Sequence, residues 1–122
     1  MEPPKNQAVS LIGREELKEK LDRGEDFSLV MVYQDWAFRR KHIPGSINIP
    51  IPFAAGSHWG ILAPHDEIVV YCSAEECAAS RVALQILRRE GYQNVRRYSG
   101  GIADWDSAGY PLEGTASTIT GT

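Results

Sequence analysis

The chain has 122 residues, of which 43% are hydrophobic and 24% are charged. That length suits one domain with its own buried core, and that composition excludes disordered, collagen-like and disulfide-scaffold chains. The formal net charge is −3, so the chain lacks the basic excess that attracts a nucleic-acid backbone or an anionic membrane. We therefore expect one globular domain with neither nucleic acid nor membrane as a partner.

The cysteines and histidines of the chain form no recognisable metal motif. Two cysteines and three histidines show no zinc-ligand spacing, so no metal or organic cofactor is expected. The N-terminal segment lacks the apolar core of a signal peptide, and the uncharged stretch 43–64 is interrupted by four prolines and three glycines, which excludes a continuous membrane-spanning helix. These features predict a cytoplasmic protein, in a compartment where thiols stay reduced unless they have redox work.

The pattern of the first half predicts alternating strands and helices. Residues 1–8 read as a flexible arm and 114–122 as a flexible tail, which leaves 9–113 as the folded domain. Val9–Ile12 is a short strand candidate, and Arg14–Arg23 is predicted to be a surface helix that stops at Gly24.

Apolar, β-rich runs then predict buried strands. Phe27–Tyr33 and Glu67–Cys72 are nearly continuous apolar runs, as expected for parallel strands covered on both faces. Asp35–Lys41 is a short helix candidate between them, and Ile47–Ile49 and Val95–Tyr98 are shorter strand candidates.

The clearest helix is predicted over Ala78–Glu90, before Gly91. Its apolar stripe consists of Ala79, Val82, Ala83, Ile86 and Leu87. Strands separated by helices imply right-handed crossovers, and therefore an α/β fold with a mostly parallel sheet.

Cys72 is the strongest candidate for a reactive side chain. It stands immediately after a predicted strand, and ligands of open α/β sheets bind beyond the carboxyl ends of the strands. A thiol between a strand and the N-terminus of a helix faces backbone N–H groups and the positive end of the helix dipole, both of which favour the thiolate. This position suits a nucleophile, although a free cysteine is often only a small buried hydrophobe.

Four segments of the sequence together resemble a single-domain rhodanese. They are His42–Pro50 (HIPGSINIP), Ile68–Cys72 (IVVYC), Ser80–Val95 (SRVALQILRREGYQNV) and Ser99–Leu112 (SGGIADWDSAGYPL). The resemblance implies a five-stranded, mostly parallel sheet with helices on both faces. It also implies that Cys72 carries a sulfane sulfur as a persulfide, within a substrate-binding loop of Ser73, Ala74, Glu75, Glu76, Cys77 and Ala78.

The loop after Cys72 departs from the usual rhodanese pattern. The interval from Cys72 to Ser80 is two residues longer, it contains no glycine, and no basic residue lies between Ser73 and Ala79. Glu75 and Glu76 instead bring negative charge, which opposes an incoming dianion. The usual Asp-Val-Arg of the family is also replaced here, by Met31-Val32-Tyr33. We therefore expect thiosulfate to be a poor donor and a persulfide on a small thiol or a protein to be a better one.

Two residues near the loop have alternative interpretations. Cys77 is either a buried residue at the start of the helix or a resolving thiol that pairs with Cys72. Arg81 is either a solvated surface residue or a charge partner that neutralises the loop carboxylates.

Residues elsewhere in the chain have weaker functional interpretations. The basic run of Arg39, Arg40 and Lys41 is either a solvated face or an anion-steering patch. His42 is expected to hold a loop by hydrogen bonds, whereas Trp105 and Tyr92 are expected to pack in the core. Trp36 and Trp59 are candidates for an apolar wall around the site.

Three classes of function compete for this sequence. The first is a sulfurtransferase that takes sulfur from a small-molecule or protein persulfide donor and passes it to a thiol acceptor. The second is a cysteine-dependent phosphatase or arsenate reductase, but Ala78 stands where the phosphatase pattern needs an arginine. The third is a non-catalytic binding module or a dithiol redox sensor that uses Cys72 and Cys77.

Overall fold

A computed structural model describes residues 11–49, 62–73 and 78–115. The proposed arm 1–8 and most of the proposed tail, residues 116–122, lie outside these ranges. The elements are α1 (Arg14–Asp22), β1 (Ser28–Met31), α2 (Asp35–Arg40), β2 (Ile47–Asn48), β3 (Ile68–Tyr71), α3 (Ala79–Arg89), β4 (Val95–Tyr98) and α4 (Gly101–Ser107). None of the helices in this part of the chain combines the length and the apolar character that membrane crossing requires.

The strands form one parallel sheet in the order β2-β1-β3-β4. The register pairs Val30 of β1 with Val70 of β3, and Val70 with Arg97 of β4. The predicted α/β class and parallel sheet are therefore confirmed.

The predicted fifth strand corresponds to a single bridge at the edge of the sheet. Leu11 forms an isolated parallel bridge with Arg97, and the Ile12 N–H donates to the Arg97 carbonyl oxygen at 3.1 Å. Residues 9 and 10 of the predicted strand lie outside the described part of the chain. The described residues therefore contain four strands, plus a bridge on the outer side of β4.

Helices cover both faces of the sheet, as predicted, and each face has its own hydrophobic core. On one face, α3 packs Ala83 and Leu87 against Val30, Val70 and neighbouring strand residues. On the other face, side chains of α1 and α4 pack on the strands, among them Leu17, Ile102 and Trp105. The fully apolar composition of β3 follows from this arrangement, since β3 is a central strand with both of its faces covered.

The apolar stripe predicted on α3 is wrong in one position. Val82 is 40% exposed, while Ser80, Ala83 and Leu87 are the buried residues of the helix. The helix is rotated so that Ser80 faces the sheet, where its hydroxyl oxygen accepts a hydrogen bond from Arg97 Nε at 2.9 Å. A polar residue occupies the buried face because a buried partner satisfies it.

Candidate active site

Cys72 lies at the carboxyl end of central strand β3. It follows Tyr71, the last residue of the strand, and it is buried. Its Sγ atom is 4.0 Å from the hydroxyl oxygen of Ser73, which is half-buried. The structure thus puts Cys72 at the sheet edge where open α/β folds bind their ligands.

The start of α4 holds the backbone that follows β3. The Ile102 N–H donates to the Cys72 carbonyl oxygen at 3.1 Å, and the Ala103 N–H donates to the Ser73 carbonyl oxygen at 2.8 Å. These first-turn amides have no partner inside their own helix, so the contact satisfies two helix donors and anchors the loop after Cys72.

Two consecutive glycines make this contact possible. Gly101 has a φ of 64°, in the left-handed region that favours glycine. A Cβ on Gly100 would lie 2.5 Å from the Cβ of Asp104, which is closer than van der Waals contact allows. The sequence analysis did not predict a helix here, although Gly100-Gly101 followed by an apolar residue was the available signal.

Cys72 is disulfide-bonded in the structure. The chain contains one other cysteine, Cys77. Cys77 lies outside the described residues, together with Ala74, Glu75 and Glu76, so most of the predicted loop stays a prediction.

The end of the predicted loop joins the N-terminus of α3. Ala78 is the exposed N-cap residue, and it provides no side-chain hydrogen bond to the helix. Arg81 is exposed on the first turn and forms no ion pair with another described residue. Its predicted pairing with the loop carboxylates is untested, because Glu75 and Glu76 are not described.

Arg97 is a buried cation that the sequence analysis missed. Its side chain is 9% exposed and lies on the same face of the sheet as α3, bonded to Ser80 near the start of that helix. Arg97 pairs in register with Val70, two residues before Cys72. Its burial could have been predicted from its position in β4. Alternate residues of a strand point the same way, so Arg97 shares one face with the apolar Val95.

A groove of about 380 Å³ opens beside Ser73. Its lining comes from β1, the segment after it, α2, the residue after Cys72 and α4. We call it the Trp36 groove and define it by Met31, Tyr33, Trp36, Ala37, Arg40, Lys41, Ser73 and Ile102. Trp36 lines this groove together with Ser73, and its role as a wall of the site stays a prediction, whereas Trp59 lies outside the described residues.

The basic run beside this groove is divided between three environments. Arg39 pairs with Asp35 at 2.8 Å, and Lys41 pairs with Asp106 at 3.2 Å. Arg40 lines the groove and has no carboxylate partner among the described residues.

His42 holds the end of α2, as predicted. Its Nδ1 donates to the Phe38 carbonyl oxygen at 2.7 Å, and its ring stacks on the Phe38 ring with centroids 4.0 Å apart. Its backbone exchanges two hydrogen bonds of 2.8 Å with Glu113. This set of contacts is structural.

The two predicted packing residues are also confirmed. Trp105 is buried between Tyr98 and Tyr110, and its Nε1 donates to the Pro111 carbonyl oxygen at 2.9 Å. Tyr92 is buried after α3 and donates to the Leu62 carbonyl oxygen at 3.0 Å. Within the described ranges, no group of three or more His, Cys, Asp or Glu side chains could hold a metal ion.

Two known proteins are similar to this chain in sequence. The chain is 35% identical, over 102 residues or 84% of its length, to an HTH-type transcriptional regulator of Mycobacterium tuberculosis. It is 27% identical, over 98 residues or 80% of its length, to a candidate sulfur carrier protein of Bacillus subtilis. The aligned regions cover 44% and 51% of these relatives, so the chain spans about half of their length.

The solved structures give the same result for the fold. The rhodanese-like domain of a protein from Anabaena superposes with a TM-score of 0.82 and is 27% identical, with 93% of this chain and 85% of that domain covered. A family model described as the rhodanese-like domain matches residues 13–108. This match covers most of the chain, and Cys72 lies at the carboxyl end of β3. The chain therefore belongs to the rhodanese-like domain family.

Proposed function

We propose that this protein is a sulfurtransferase that carries sulfane sulfur as a persulfide on Cys72. The observation that carries the proposal is the position of Cys72 at the end of β3, held by α4 and followed by α3. The similarity to a candidate sulfur carrier protein supports it. A cytoplasmic, reducing environment suits this chemistry, because the nucleophile is the reduced thiolate.

The proposed reaction is a double displacement without net oxidation. The Cys72 thiolate attacks the outer sulfur of a donor persulfide RS–SH, a new S–S bond forms, and the donor S–S bond breaks with its electron pair leaving on RS⁻. An acceptor thiolate then attacks the outer sulfur of the Cys72 persulfide. This second step releases the Cys72 thiolate and gives the acceptor persulfide.

Backbone N–H groups are proposed to stabilise the thiolate and the persulfide anion. Helix α3 has eleven residues, and its N-cap Ala78 has no side-chain acceptor for the first-turn amides. Such amides, together with the positive end of the helix dipole, stabilise a nearby anion. Ser73–Ala78 would form the rest of this cradle.

The composition of the loop favours a persulfide donor over thiosulfate. Glu75 and Glu76 add negative charge, and the loop has no basic residue to bind a dianion. A persulfide on a small thiol or a protein carries at most one negative charge on its sulfur atoms, whereas thiosulfate is a dianion. The proposed partners are therefore such a donor and a thiol acceptor.

A second candidate function is a dithiol redox module, which the disulfide-bonded state of Cys72 favours. Since Cys77 is the only other cysteine of the chain, an internal pair would join Cys72 to Cys77. The chain is similar over 102 residues to an HTH-type transcriptional regulator, a class of protein whose role is regulatory. In this role the protein would sense oxidants without transferring sulfur.

The two functions are separated by loading the reduced protein with sulfur. The protein is reduced with a dithiol, desalted and mixed with a small-molecule persulfide, and the peptide that contains Cys72 is analysed by mass spectrometry. A sulfurtransferase gains the mass of one sulfur atom on Cys72 and passes it to an acceptor thiol, whereas Cys72→Ser folds but gains none. Wild-type protein that takes no sulfur from any donor would contradict the proposal and favour the redox module.

A further inference from the structure

The Trp36 groove adjoins the candidate site but is not needed to hold Cys72. The backbone of Cys72 and Ser73 is already anchored by α4, and Ser73, the residue after Cys72, lines the groove together with Ile102 of α4. The Ser73 hydroxyl oxygen is 4.0 Å from Cys72 Sγ. The groove is therefore placed to hold the part of a substrate that does not react.

The wall of the groove is apolar and partly open to solvent. Trp36 is 53% exposed, and its ring meets the Tyr33 ring edge-on with centroids 6.2 Å apart. Met31, Ala37 and Ile102 add aliphatic surface. Exposed aromatic surface in a concave site favours a ligand with an apolar body.

The lining of the groove includes positive charge that the described residues do not fully neutralise. Arg40 has no carboxylate partner among them, and the Lys41 ammonium shares the groove although it also contacts Asp106. A guanidinium binds a carboxylate through two parallel hydrogen bonds. The charge therefore complements an anionic group on the ligand.

We propose that the Trp36 groove binds the organic part of the sulfur donor, and that this donor is a small persulfide with an aryl body and a carboxylate. The inference rests on the proposed sulfurtransferase function. The volume of about 380 Å³ lies within the usual range for small-molecule sites. The body would cover Trp36 and the carboxylate would face Arg40, while the persulfide sulfur extends past Ser73 toward Cys72.

This arrangement gives the groove a role in the first displacement. When the Cys72 thiolate takes the outer sulfur, the donor S–S bond breaks and RS⁻ leaves with the electron pair. RS⁻ and RS–SH have the same organic part, so both use the same groove. Thiosulfate has no apolar body and would leave the wall uncovered, in agreement with the donor preference proposed from the loop.

The test compares three persulfide donors on the reduced protein. The first is the persulfide of para-(mercaptomethyl)benzoate, the second is its methyl ester, which lacks the carboxylate, and the third is mercaptoethanol persulfide, which lacks both the aromatic ring and the carboxylate. The wild type is expected to have the lowest KM for the first donor. Arg40→Gln should raise that KM roughly 5-fold and remove the preference over the ester, and Trp36→Ala should raise it about 10-fold.

Matched controls come from the surface away from the groove. Arg89→Gln removes an exposed arginine of α3, and Leu11→Ala removes an exposed apolar side chain at the outer edge of β4. Both should keep the wild-type KM for all three donors. Equal KM values for the three donors in the wild type, or unchanged values in Trp36→Ala and Arg40→Gln, would overturn the inference.

A binding measurement separates this inference from the proposed function. The inert thioether para-(methylthiomethyl)benzoate is titrated into reduced wild type, Arg40→Gln and Trp36→Ala by calorimetry. Binding that is weakened in both variants supports the groove even if no donor loads Cys72, and absence of binding to the wild type overturns it. Sulfur loading from mercaptoethanol persulfide reports the proposed function alone, because that donor makes no use of the groove.

Discussion

The Arg97 guanidinium donates from Nε to the hydroxyl oxygen of Ser80 at 2.9 Å, and both side chains are buried. This bond joins β4 to the first turn of α3, the helix that follows the Cys72 loop. It therefore links the buried face of α3 to the sheet through a polar contact, beside the apolar contacts of Ala83 and Leu87.

Ser80→Ala is expected to destabilise the protein by about 1.5–3 kcal/mol, since it removes the acceptor of a hydrogen bond from a buried charged group. The measurement is urea unfolding followed by circular dichroism. Ser107→Ala is the matched control, because Ser107 is exposed and donates only to the Asp104 carbonyl oxygen, so a change within about 0.5 kcal/mol is expected. Equal effects of the two substitutions would show that the Arg97–Ser80 bond contributes little.

Replacing both loop carboxylates, Glu75→Gln with Glu76→Gln, is expected to lower the apparent KM for thiosulfate. A repulsion of about 1 kcal/mol for each carboxylate corresponds to a factor of roughly five for each. The gain should shrink in high salt, which screens exposed charges. Glu90→Gln, at the far end of α3, is the control. An unchanged KM at low salt would mean that the carboxylates point away from the incoming donor.

Mild oxidation of the reduced protein is expected to close a reversible disulfide between Cys72 and Cys77 and to stop sulfur transfer. A Cys77 thiolate that attacks the inner sulfur of the Cys72 persulfide forms this disulfide and releases HS⁻. Cys77→Ser should therefore keep sulfur transfer and hold its persulfide longer than the wild type does. The measurement is thiol counting after dilute peroxide. Two free thiols in the wild type, or an overoxidised Cys72 beside an intact Cys77, would contradict the prediction.

Tyr71→Phe is expected to cost about 1–3 kcal/mol at neutral pH, because the Tyr71 hydroxyl accepts a hydrogen bond from the Ile43 N–H and shares a second one with the Ser46 hydroxyl. Burial raises the pKa of Tyr71 from 10.0 to about 12. Because the pKa of Tyr71 is higher in the folded than in the unfolded state, the protonated side chain stabilises the native state at pH values below the unfolded pKa of 10.0. This contribution is lost as the pH rises from 10.0 to about 12.

Tyr71→Phe lacks that titration. The difference in the free energy of unfolding between wild type and variant should therefore be about 1.4 kcal/mol smaller at one pH unit above the unfolded pKa than at neutral pH. Urea unfolding of both proteins at neutral pH and at that alkaline pH measures the difference. Tyr98, whose pKa burial also raises, is present in both proteins and cancels. A deficit that stays constant with pH would contradict the assignment of the alkaline loss to Tyr71.

The class of fold, the strands β1 to β4 and the position of Cys72 after β3 were predictable from the sequence alone. The run from Ile68 to Tyr71 is continuously apolar because both faces of the strand are covered, and that pattern is visible in a single segment. The same local reasoning predicted β4 with its observed bounds and placed Cys72 at a strand end. The motif combination that resembles a rhodanese then agreed with the family match.

The contacts between these segments were not predictable from the sequence. The face of α3 that buries Ser80 and exposes Val82 contacts Arg97, which lies seventeen residues further along the chain. The amides of Ile102 and Ala103 reach the Cys72 loop because β4 lies beside β3 in the sheet. The Trp36 groove is likewise lined by residues from both α2 and the start of α4. Local periodicity encodes which residues form an element, but contacts between distant segments depend on sheet order, register and packing.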